Sequence, residues 1–269
     1  MARQFEFTFP WGEFHTQRFF CLTADQDWAP EWATDYFLSW VQSLRLPVHV
    51  FQTNPSAILD AAAAAPGLSR GWHPNFLAGS SHGADAAEVV AGLTVSLPPA
   101  DSFRSHGFGE SFVALVELAK AGFVTDSQHP SAFSAHIVPA VHATGVVRIP
   151  VWFEDDIWMR LPDDRRAGLA ALLPGLESPG LKVLNLHPVH IALNSPGHDF
   201  YESVRSRLYM DEDGDPRNEL AFGGWGVRDL VEEIVDLVRE SGDEFFDFGA
   251  IAARAQRYAQ VNGSRALTL

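Results

Sequence analysis

Two aspartates, Asp25 and Asp27, directly follow the apolar run 19–22 near the start of the sequence. If that run is a strand that continues through both residues, the two carboxylates lie on one face, because side chains in a strand alternate with a period of two. Carboxylates held that close need a cation between them or a proton on one of them. The alternative is a solvated turn in which Asp27 caps a helix that begins near Pro30. The stretch therefore predicts either a cation site or a helix cap.

Histidines later in the chain could complete a metal site with Asp27. Divalent metals such as zinc take imidazole and carboxylate ligands, and a catalytic site leaves room for water and substrate. Asp27 with His73 and His82 would make an open three-ligand site, provided that the loop 79–81 folds back. If it does not, His106 is the substitute. Because the chain has 11 histidines, the alternative for each of them is a hydrogen-bonded structural residue.

Short apolar segments alternate with helical patterns along most of the chain. The predicted strands include 48–51, 146–153, 181–186 and 245–248, and the predicted helices include 30–44, 54–66, 111–121 and 227–238. This alternation predicts an α/β fold with a parallel sheet, and seven or eight strands favour closure into a barrel. In a parallel barrel the C-terminal ends of the strands share one mouth. The polar residues that would meet there are Asp25, Asp27, His73, Arg104, Asp155 and His187.

Composition limits the class of protein. The 269 residues, 46% of them hydrophobic, suffice for a single barrel domain over 1–269 with its core at about 18–250. A net charge of −15, from 19 basic and 34 acidic residues, opposes binding to nucleic acid or anionic membranes and leaves room for a bound cation, so a neutral or cationic ligand fits better. Cys21 is the only cysteine, so neither an internal disulfide nor a thiolate metal cluster can form. With no signal-like or membrane-spanning segment in the sequence, we expect a cytoplasmic protein without membrane insertion.

The order of these motifs resembles the polysaccharide deacetylase family, the NodB-homology domain of carbohydrate esterase family 4. The matching segments are Thr23-Ala24-Asp25-Gln26-Asp27, the stretch from His73 to His82, Phe103-Arg104, 122–127 and Leu186-His187. The resemblance implies a single distorted (β/α)7–8 barrel of the NodB type. It also implies a divalent metal, zinc first with nickel, cobalt, manganese and iron as alternatives, and hydrolysis of N- or O-acetyl groups from a small or oligomeric sugar.

The resemblance also implies roles for the matching residues. Asp25 corresponds to the general base, Arg104 to the residue that holds this base, and His187 to the general acid. Asp27, with His73 and His82, corresponds to the metal ligands. In the implied reaction a metal-bound water attacks the amide carbonyl, the aspartate removes its proton and the histidine protonates the leaving amine.

The sequence departs from the family pattern at three places. Gln26 separates the two aspartates, so the base and the metal ligand could be exchanged between them. Eight residues separate the two histidines of the second motif, where the family has three. Ser105-His106 stands where the family has proline and an aromatic residue, which leaves the role of His106 open.

Candidates for substrate binding follow predicted strands or lie in the loops beyond them. They are Trp28, Asn75, Asp155 and Trp158. Two alternative hypotheses are consistent with the same residues. One is a glycosidase that pairs Asp25 with Asp155 or Asp156, and the other is a non-catalytic glycan-binding barrel that has lost its metal.

Overall fold

A computed structural model describes residues 11–162, 166, 168–209 and 216–261. These residues contain nine strands: β1 (Arg18–Asp25), β2 (Val48–Gln52), β3 (Leu68–Trp72), β4 (Ser102–Phe103), β5 (Thr125–Asp126), β6 (Ala140–Val141), β7 (Val147–Arg148), β8 (Phe153–Glu154) and β9 (Gly180–Leu186). They also contain eleven α-helices: α1 (Glu31–Ser43), α2 (Ala57–Ala61), α3 (Ala86–Ser96), α4 (Phe112–Lys120), α5 (Asp155–Met159), α6 (Leu169–Glu177), α7 (Pro188–Leu193), α8 (His198–Val204), α9 (Arg217–Leu220), α10 (Val227–Glu240) and α11 (Phe248–Val261).

The nine strands form one sheet in the order β6-β7-β5-β4-β3-β2-β1-β9-β8. Every pairing is parallel except the edge pair β6–β7. The sheet curves into a half-barrel with helices around it, which confirms the predicted α/β fold of the NodB type. Because the strands are parallel, the residues that follow β1, β3, β4, β8 and β9 emerge at the same end of the sheet.

The core lies between the sheet and the surrounding helices. The strands β1 and β9 are apolar along most of their length and almost wholly buried, as expected for a parallel sheet covered on both faces. The predicted apolar face of α10 is confirmed, because Leu230, Val231, Ile234 and Val238 are all buried. The side chains of Ser56, Asp85 and Ser111 accept backbone N–H groups at the starts of α2, α3 and α4.

Three predicted elements were wrong in their extent. The segment 146–153 forms two short strands, β7 and β8, on either side of Pro150, which has no N–H group to donate to a neighbouring strand. The predicted strand 245–248 makes only one bridge, Phe245 with Phe20, and Phe248 already belongs to α11. The predicted helix 54–66 is limited to α2, which begins after Ser56 rather than after Asn54.

His49 on β2 is a buried histidine whose two ring nitrogens both have partners. Its Nδ1 lies 2.8 Å from Ser69 Oγ and its Nε2 lies 3.1 Å from Ser102 Oγ. The ring stacks on Phe248 with the ring centroids 4.5 Å apart. Burial, together with the charge of Arg104, lowers the pKa of His49 to about 3. The imidazole is therefore neutral in the folded protein at neutral pH.

This environment predicts a pH-dependent contribution to stability. The pKa of His49 is about 3 in the folded state, below the unfolded value of about 6.5. Its contribution is therefore present above pH 6.5 and is lost as the pH falls toward 3, by about 1.4 kcal/mol per pH unit. Between pH 7 and pH 5 the free energy of unfolding in urea should fall about 2 kcal/mol more in the wild type than in His49→Gln. Equal losses in the two proteins would contradict the neutral, buried assignment.

Candidate functional site

The strand β1 ends at Asp25, and the chain turns before it reaches Asp27. Asp27 and Trp28 have φ angles of 46° and 54°, in the left-handed region. Gln26, which stands between the two aspartates, is buried. Its Oε1 accepts the backbone N–H groups of Thr53 and Asn54 at 2.9 and 3.2 Å. The Asp27 N–H donates to Thr53 Oγ1 at 3.0 Å. The extra residue between the aspartates is thus used to anchor the turn to the loop after β2, and it gives the two carboxylates different surroundings.

Asp25 forms a buried ion pair with Arg104. Arg104 Nη1 donates to Asp25 Oδ1 at 2.9 Å, and Asn185 Nδ2 donates to Asp25 Oδ2 at 2.8 Å. Arg104 is wholly buried and also donates to Ser127 O at 2.8 Å, Ser127 Oγ at 2.7 Å, Thr23 Oγ1 at 3.1 Å and Asn185 Oδ1. A guanidinium suits this role because it presents several donors in a fixed plane. The carboxylate of Asp25 therefore has a fixed counterion and orientation.

Asp27 lies among three imidazoles. Its Oδ1 is 2.8 Å from His73 Nε2 and 2.7 Å from His106 Nδ1, and its Oδ2 is 3.2 Å from His187 Nε2. Burial by itself raises the pKa of Asp27, but the imidazoles of His73, His106 and His187 outweigh burial and hold that pKa well below its usual value. The structure thus brings Asp27 and His73 together with His106.

His82 does not join this group. Its Nδ1 accepts the backbone N–H of Asn75 at 3.1 Å, and its ring lies against Trp28 with the centroids 5.6 Å apart. By contrast, one ligand atom from each of Asp27, His73 and His106 lies within 4.8 Å of the others. The loop after β3 does fold back, but it brings His82 to its own backbone and to Trp28.

The donor set of Asp27, His73 and His106 fits a divalent metal ion. His73 is only 1% exposed, and neither of its ring nitrogens forms a hydrogen bond with the described residues. Its Nε2 is close to Asp27 Oδ1 but lacks the geometry of a hydrogen bond. A buried polar atom without a partner is unfavourable. An ion shared by the carboxylate and the two imidazoles would provide that partner, and this mixture of ligands is the one zinc and related metals take.

His187 occupies the other side of Asp27, at the end of β9. Its Nδ1 lies 2.6 Å from Asp155 Oδ1, and its backbone N–H donates to Asp155 Oδ2 at 2.7 Å. Burial lowers the pKa of the imidazole, but Asp155 and Asp27 more than offset this effect and raise the pKa well above its ordinary value. Pro188 occupies the first turn of α7 and fixes the chain after His187. The ring is thus oriented by Asp155 with Nε2 directed to Asp27.

Glu154 is a second buried carboxyl beside His187. It caps α5 by accepting the N–H of Ile157 at 2.5 Å, and its Oε1 is 3.6 Å from His187 Nδ1. Burial, with the nearby charges of Asp155 and Asp156, raises the pKa of Glu154 to about 8, although His187 acts in the opposite direction. The capping of α5 therefore accounts for a glutamate at position 154.

A cavity of about 550 Å³ opens beside these groups. Asp25, Asp27, His106 and His187 are among the residues that line it. The end of β8, α5 and the residue after it, α7, α8 and the short helix that follows α8 also contribute to the lining. The polar residues from these elements are Glu154, Asp156, Arg160, His190, His198, Tyr201, Glu202 and Arg205. A larger hollow of about 740 Å³ lies between α1 and α2, and no histidine lines it among the described residues.

The predicted substrate contacts are distributed unevenly around this cavity. Trp28 lines it, and the hydroxyl of Tyr209 donates to the Trp28 carbonyl at 3.2 Å. Asn75 does not line the cavity. Its side chain bonds within its own loop, where its Oδ1 accepts the N–H of Leu77 at 3.0 Å. Asp155 is fully buried beneath His187, and Trp158 is 1% exposed and packed in the core. Neither Asp155 nor Trp158 lines the cavity.

Some residues of the site were not found from the sequence. Asn185, which binds both Asp25 and Arg104, interrupts the apolar strand β9 with a single polar residue. That interruption was the available signal. Ser127 lies in the matching segment 122–127, but nothing in the sequence indicates its contact with Arg104. His190 carries no comparable signal, because isolated histidines are common in helices.

A family model described as a WbmS-like polysaccharide deacetylase matches residues 22–205, which is more than half of the chain. The chain belongs to this polysaccharide deacetylase family. The match includes Asp25, Asp27, His73, Arg104 and His187, so the predicted family is confirmed. No curated protein matches the sequence.

The chain is similar to solved structures, and one of them, from Bordetella bronchiseptica, shares its fold. A candidate polysaccharide deacetylase involved in O-antigen biosynthesis from Bordetella bronchiseptica is 24% identical, with a TM-score of 0.71 over 81% of this chain and 90% of that chain. A candidate polysaccharide deacetylase from Mycobacterium smegmatis is 18% identical, with a TM-score of 0.45 over 87% and 94% of the two chains. A peptidoglycan N-acetylglucosamine deacetylase is 12% identical, with a TM-score of 0.48 over 88% and 89%.

The buried ion pair between Arg104 and Asp25 should contribute to the stability of the folded protein. Replacing Arg104 by Met leaves a buried carboxylate without its counterion, which typically costs about 3–5 kcal/mol. Arg104→Met should lower the free energy of unfolding in urea by that amount. The double variant Arg104→Met/Asp25→Asn should recover part of the loss, because the uncompensated charge is removed. If the double variant is no more stable than Arg104→Met, charge pairing is not the source of the loss.

Proposed function

We propose that this protein is a metal-dependent carbohydrate deacetylase that removes an acetyl group, N-linked in preference to O-linked, from an N-acetylated sugar or polysaccharide precursor. One observation carries the proposal. Asp25 with its fixed counterion, Asp27 and His106 of the carboxylate–imidazole donor set, and the oriented His187 all line one cavity. Membership in the polysaccharide deacetylase family supports the same reaction class.

Asp27, His73 and His106 would hold the metal, and zinc suits two imidazoles and a carboxylate. A divalent ion bound there supplies Lewis acidity toward the acetyl carbonyl and lowers the pKa of a water molecule. This assignment gives the ligand role to Asp27 and the base role to Asp25. It also replaces His82 by His106 as the third ligand.

Asp25 would accept the proton of the attacking water. Arg104 and Asn185 fix its orientation through hydrogen bonds to opposite carboxylate oxygens. A base held in this way loses little free energy to reorientation during the reaction. Asp25 also lines the cavity, where the attacking water would bind.

His187 would donate a proton to the nitrogen of the leaving amine. Its Nδ1 side is committed to Asp155, so Nε2 is the atom directed toward the reacting groups. We assign Asp155 to orienting this ring rather than to binding the sugar, because both of its oxygens are already bonded to His187. Water is consumed, the amide C–N bond breaks, and acetate and a free amine are the products.

No helix of the described residues has the length and apolarity to cross a bilayer. We propose that a small or oligomeric acetylated sugar enters the cavity. The Trp28 ring at the cavity offers an apolar face for the C–H face of a sugar ring.

The ligand assignment predicts a clear difference between two histidines. His106→Ala should lower zinc affinity at least about 10-fold and reduce acetate release in parallel, because it removes one of three ligands. His82→Ala is the matched control and should retain both properties within about 2-fold. Zinc stoichiometry by elemental analysis and acetate release from N-acetylglucosamine oligomers are the measurements. Retention of zinc by His106→Ala together with loss by His82→Ala would reverse the assignment.

The acid assignment predicts a defect in chemistry without a defect in metal binding. His187→Asn should lower kcat for amide hydrolysis by about 10²–10⁴-fold. Its zinc content should equal that of the wild type. Acetate without new reducing ends is the expected product, and new reducing ends would indicate a glycosidase instead. A variant with normal kcat would remove His187 from the reaction.

A further inference from the structure

The loop that carries His106 is held in a strained conformation. It follows β4, which is only two residues long. Gly107 and Phe108 have φ angles of 60° and 53°, both in the left-handed region. For Phe108 this conformation costs about 1 kcal/mol or more, so the surroundings must hold it in place. The position of His106 next to Asp27 therefore depends on contacts outside the loop.

Two of these contacts come from the loop after β3. The N–H of His106 donates to the Pro74 carbonyl at 2.9 Å. The side chain of Leu77 packs on Gly109, where an added Cβ would come within 3.1 Å of Leu77 Cδ2. Leu77 is itself 47% exposed and lies in a segment with little regular structure. These contacts limit the loop on one side only.

Gln128 holds the loop from the other side, at both of its ends. Its Oε1 accepts the N–H of Ser105 at 2.7 Å, and its Nε2 donates to the carbonyl of Gly109 at 3.2 Å. The side chain is 2% exposed. An N–H can only donate and a carbonyl can only accept, so the amide has one orientation that satisfies both partners. One planar group thus fixes the distance between the residues that flank His106, Gly107 and Phe108.

Gln128 is fixed in turn by a buried ion pair at the end of β5. Its backbone N–H lies 3.4 Å from Asp126 Oδ1. Arg148 binds both oxygens of Asp126, with Nε 3.1 Å from Oδ1 and Nη2 2.9 Å from Oδ2. Arg148 also reaches Glu110, the residue that follows the loop, at 3.1 Å. The end of β5 is therefore a rigid support for the amide of Gln128.

We infer that Gln128 is a positioning residue that places His106 for metal binding. The inference rests on the proposed function, in which His106 is the third ligand beside Asp27 and His73. Gln128 has no contact with these carboxylate or imidazole groups among its hydrogen bonds, so it acts through the backbone of the His106 loop. A residue of this kind sets metal affinity by keeping a ligand in place, and its removal typically costs 10–100-fold in affinity.

The test compares two Gln→Met variants of the full chain. Gln128→Met keeps the approximate side-chain volume and removes both hydrogen bonds to the loop. Gln256→Met is the control. Gln256 donates to Thr125 Oγ1 at 2.8 Å, on the strand β5 that precedes Gln128, and this is not a bond to the His106 loop. The dissociation constant of Zn²⁺ is measured by competition with a chromogenic chelator, and thermal unfolding of the metal-free proteins is measured alongside.

Gln128→Met should bind Zn²⁺ about 10–100-fold more weakly than the wild type, and Gln256→Met should bind within about 2-fold of it. Gln128→Glu keeps an oxygen that accepts the Ser105 N–H but loses the donor to the Gly109 carbonyl, so it should also weaken Zn²⁺ binding. In a His106→Ala background Gln128→Met should cause no further loss, because the ligand that it positions is absent. A Co²⁺ absorption spectrum altered in Gln128→Met and normal in Gln256→Met would show the changed ligand geometry directly.

Other outcomes separate this inference from the proposed function. Failure of the wild type to bind Zn²⁺ overturns the metal site itself. Tight binding by both the wild type and Gln128→Met overturns only the role of Gln128. A full loss from Gln128→Met in the His106→Ala background, or equal losses in the two Gln→Met variants, shows general destabilisation and also overturns it. If Gln128→Met does not fold, Gln128→Glu is judged in its place, and unchanged Zn²⁺ affinity in that variant counts against the inference.

Discussion

The buried guanidinium of Arg104 is the interaction on which the mouth of the sheet depends. It projects from the end of β4 and reaches Asp25 and Thr23 at the end of β1, Asn185 on β9 and Ser127 after β5. In the sheet order, β3 and β2 lie between β4 and β1. Arg104 therefore crosses the concave side of the half-barrel and links strands that are not neighbours. A buried cation is tolerated only when its donors are paired, and here the pairing also sets how far the strand ends lie apart.

The order and type of the main elements follow from the sequence, whereas the edges of the sheet do not. Long elements such as β1, β9 and α10 combine apolar periodicity with clear boundaries, so local pattern and tertiary structure agree. The strands β4 to β8 have two residues each. Such short strands are defined by their neighbours rather than by their own propensity, and Pro150 divides a run that appears continuous in the sequence.

The same contrast holds for the site. The convergence of Asp25, Asp27, Arg104 and His187 follows from parallel topology alone, because each residue lies at a strand end. The choice between His82 and His106 depends on the exact path of two loops, which spacing cannot determine. The prediction that Trp158 contacts substrate failed for a different reason. An aromatic residue after a strand is as suited to the core as to a sugar, and the side chain of Trp158 on α5 is buried. Local turns decide such cases through hydrogen bonds that no periodicity reveals.

The strand β1 lies in the middle of the site, with one group of site residues on each flank, that is, on each side of β1 in the sheet order. The loops after β3 and β4 carry His73 and His106 on one flank, and β8 and β9 lead into Asp155 and His187 on the other. Arg160, His190 and Tyr201, which also line the cavity, lie on the second flank, in or beside the helices that follow β8 and β9. Sequence changes in α8 and in the short helix after it can therefore alter the lining of the cavity without moving the imidazoles of His73, His106 and His187, which lie on other elements.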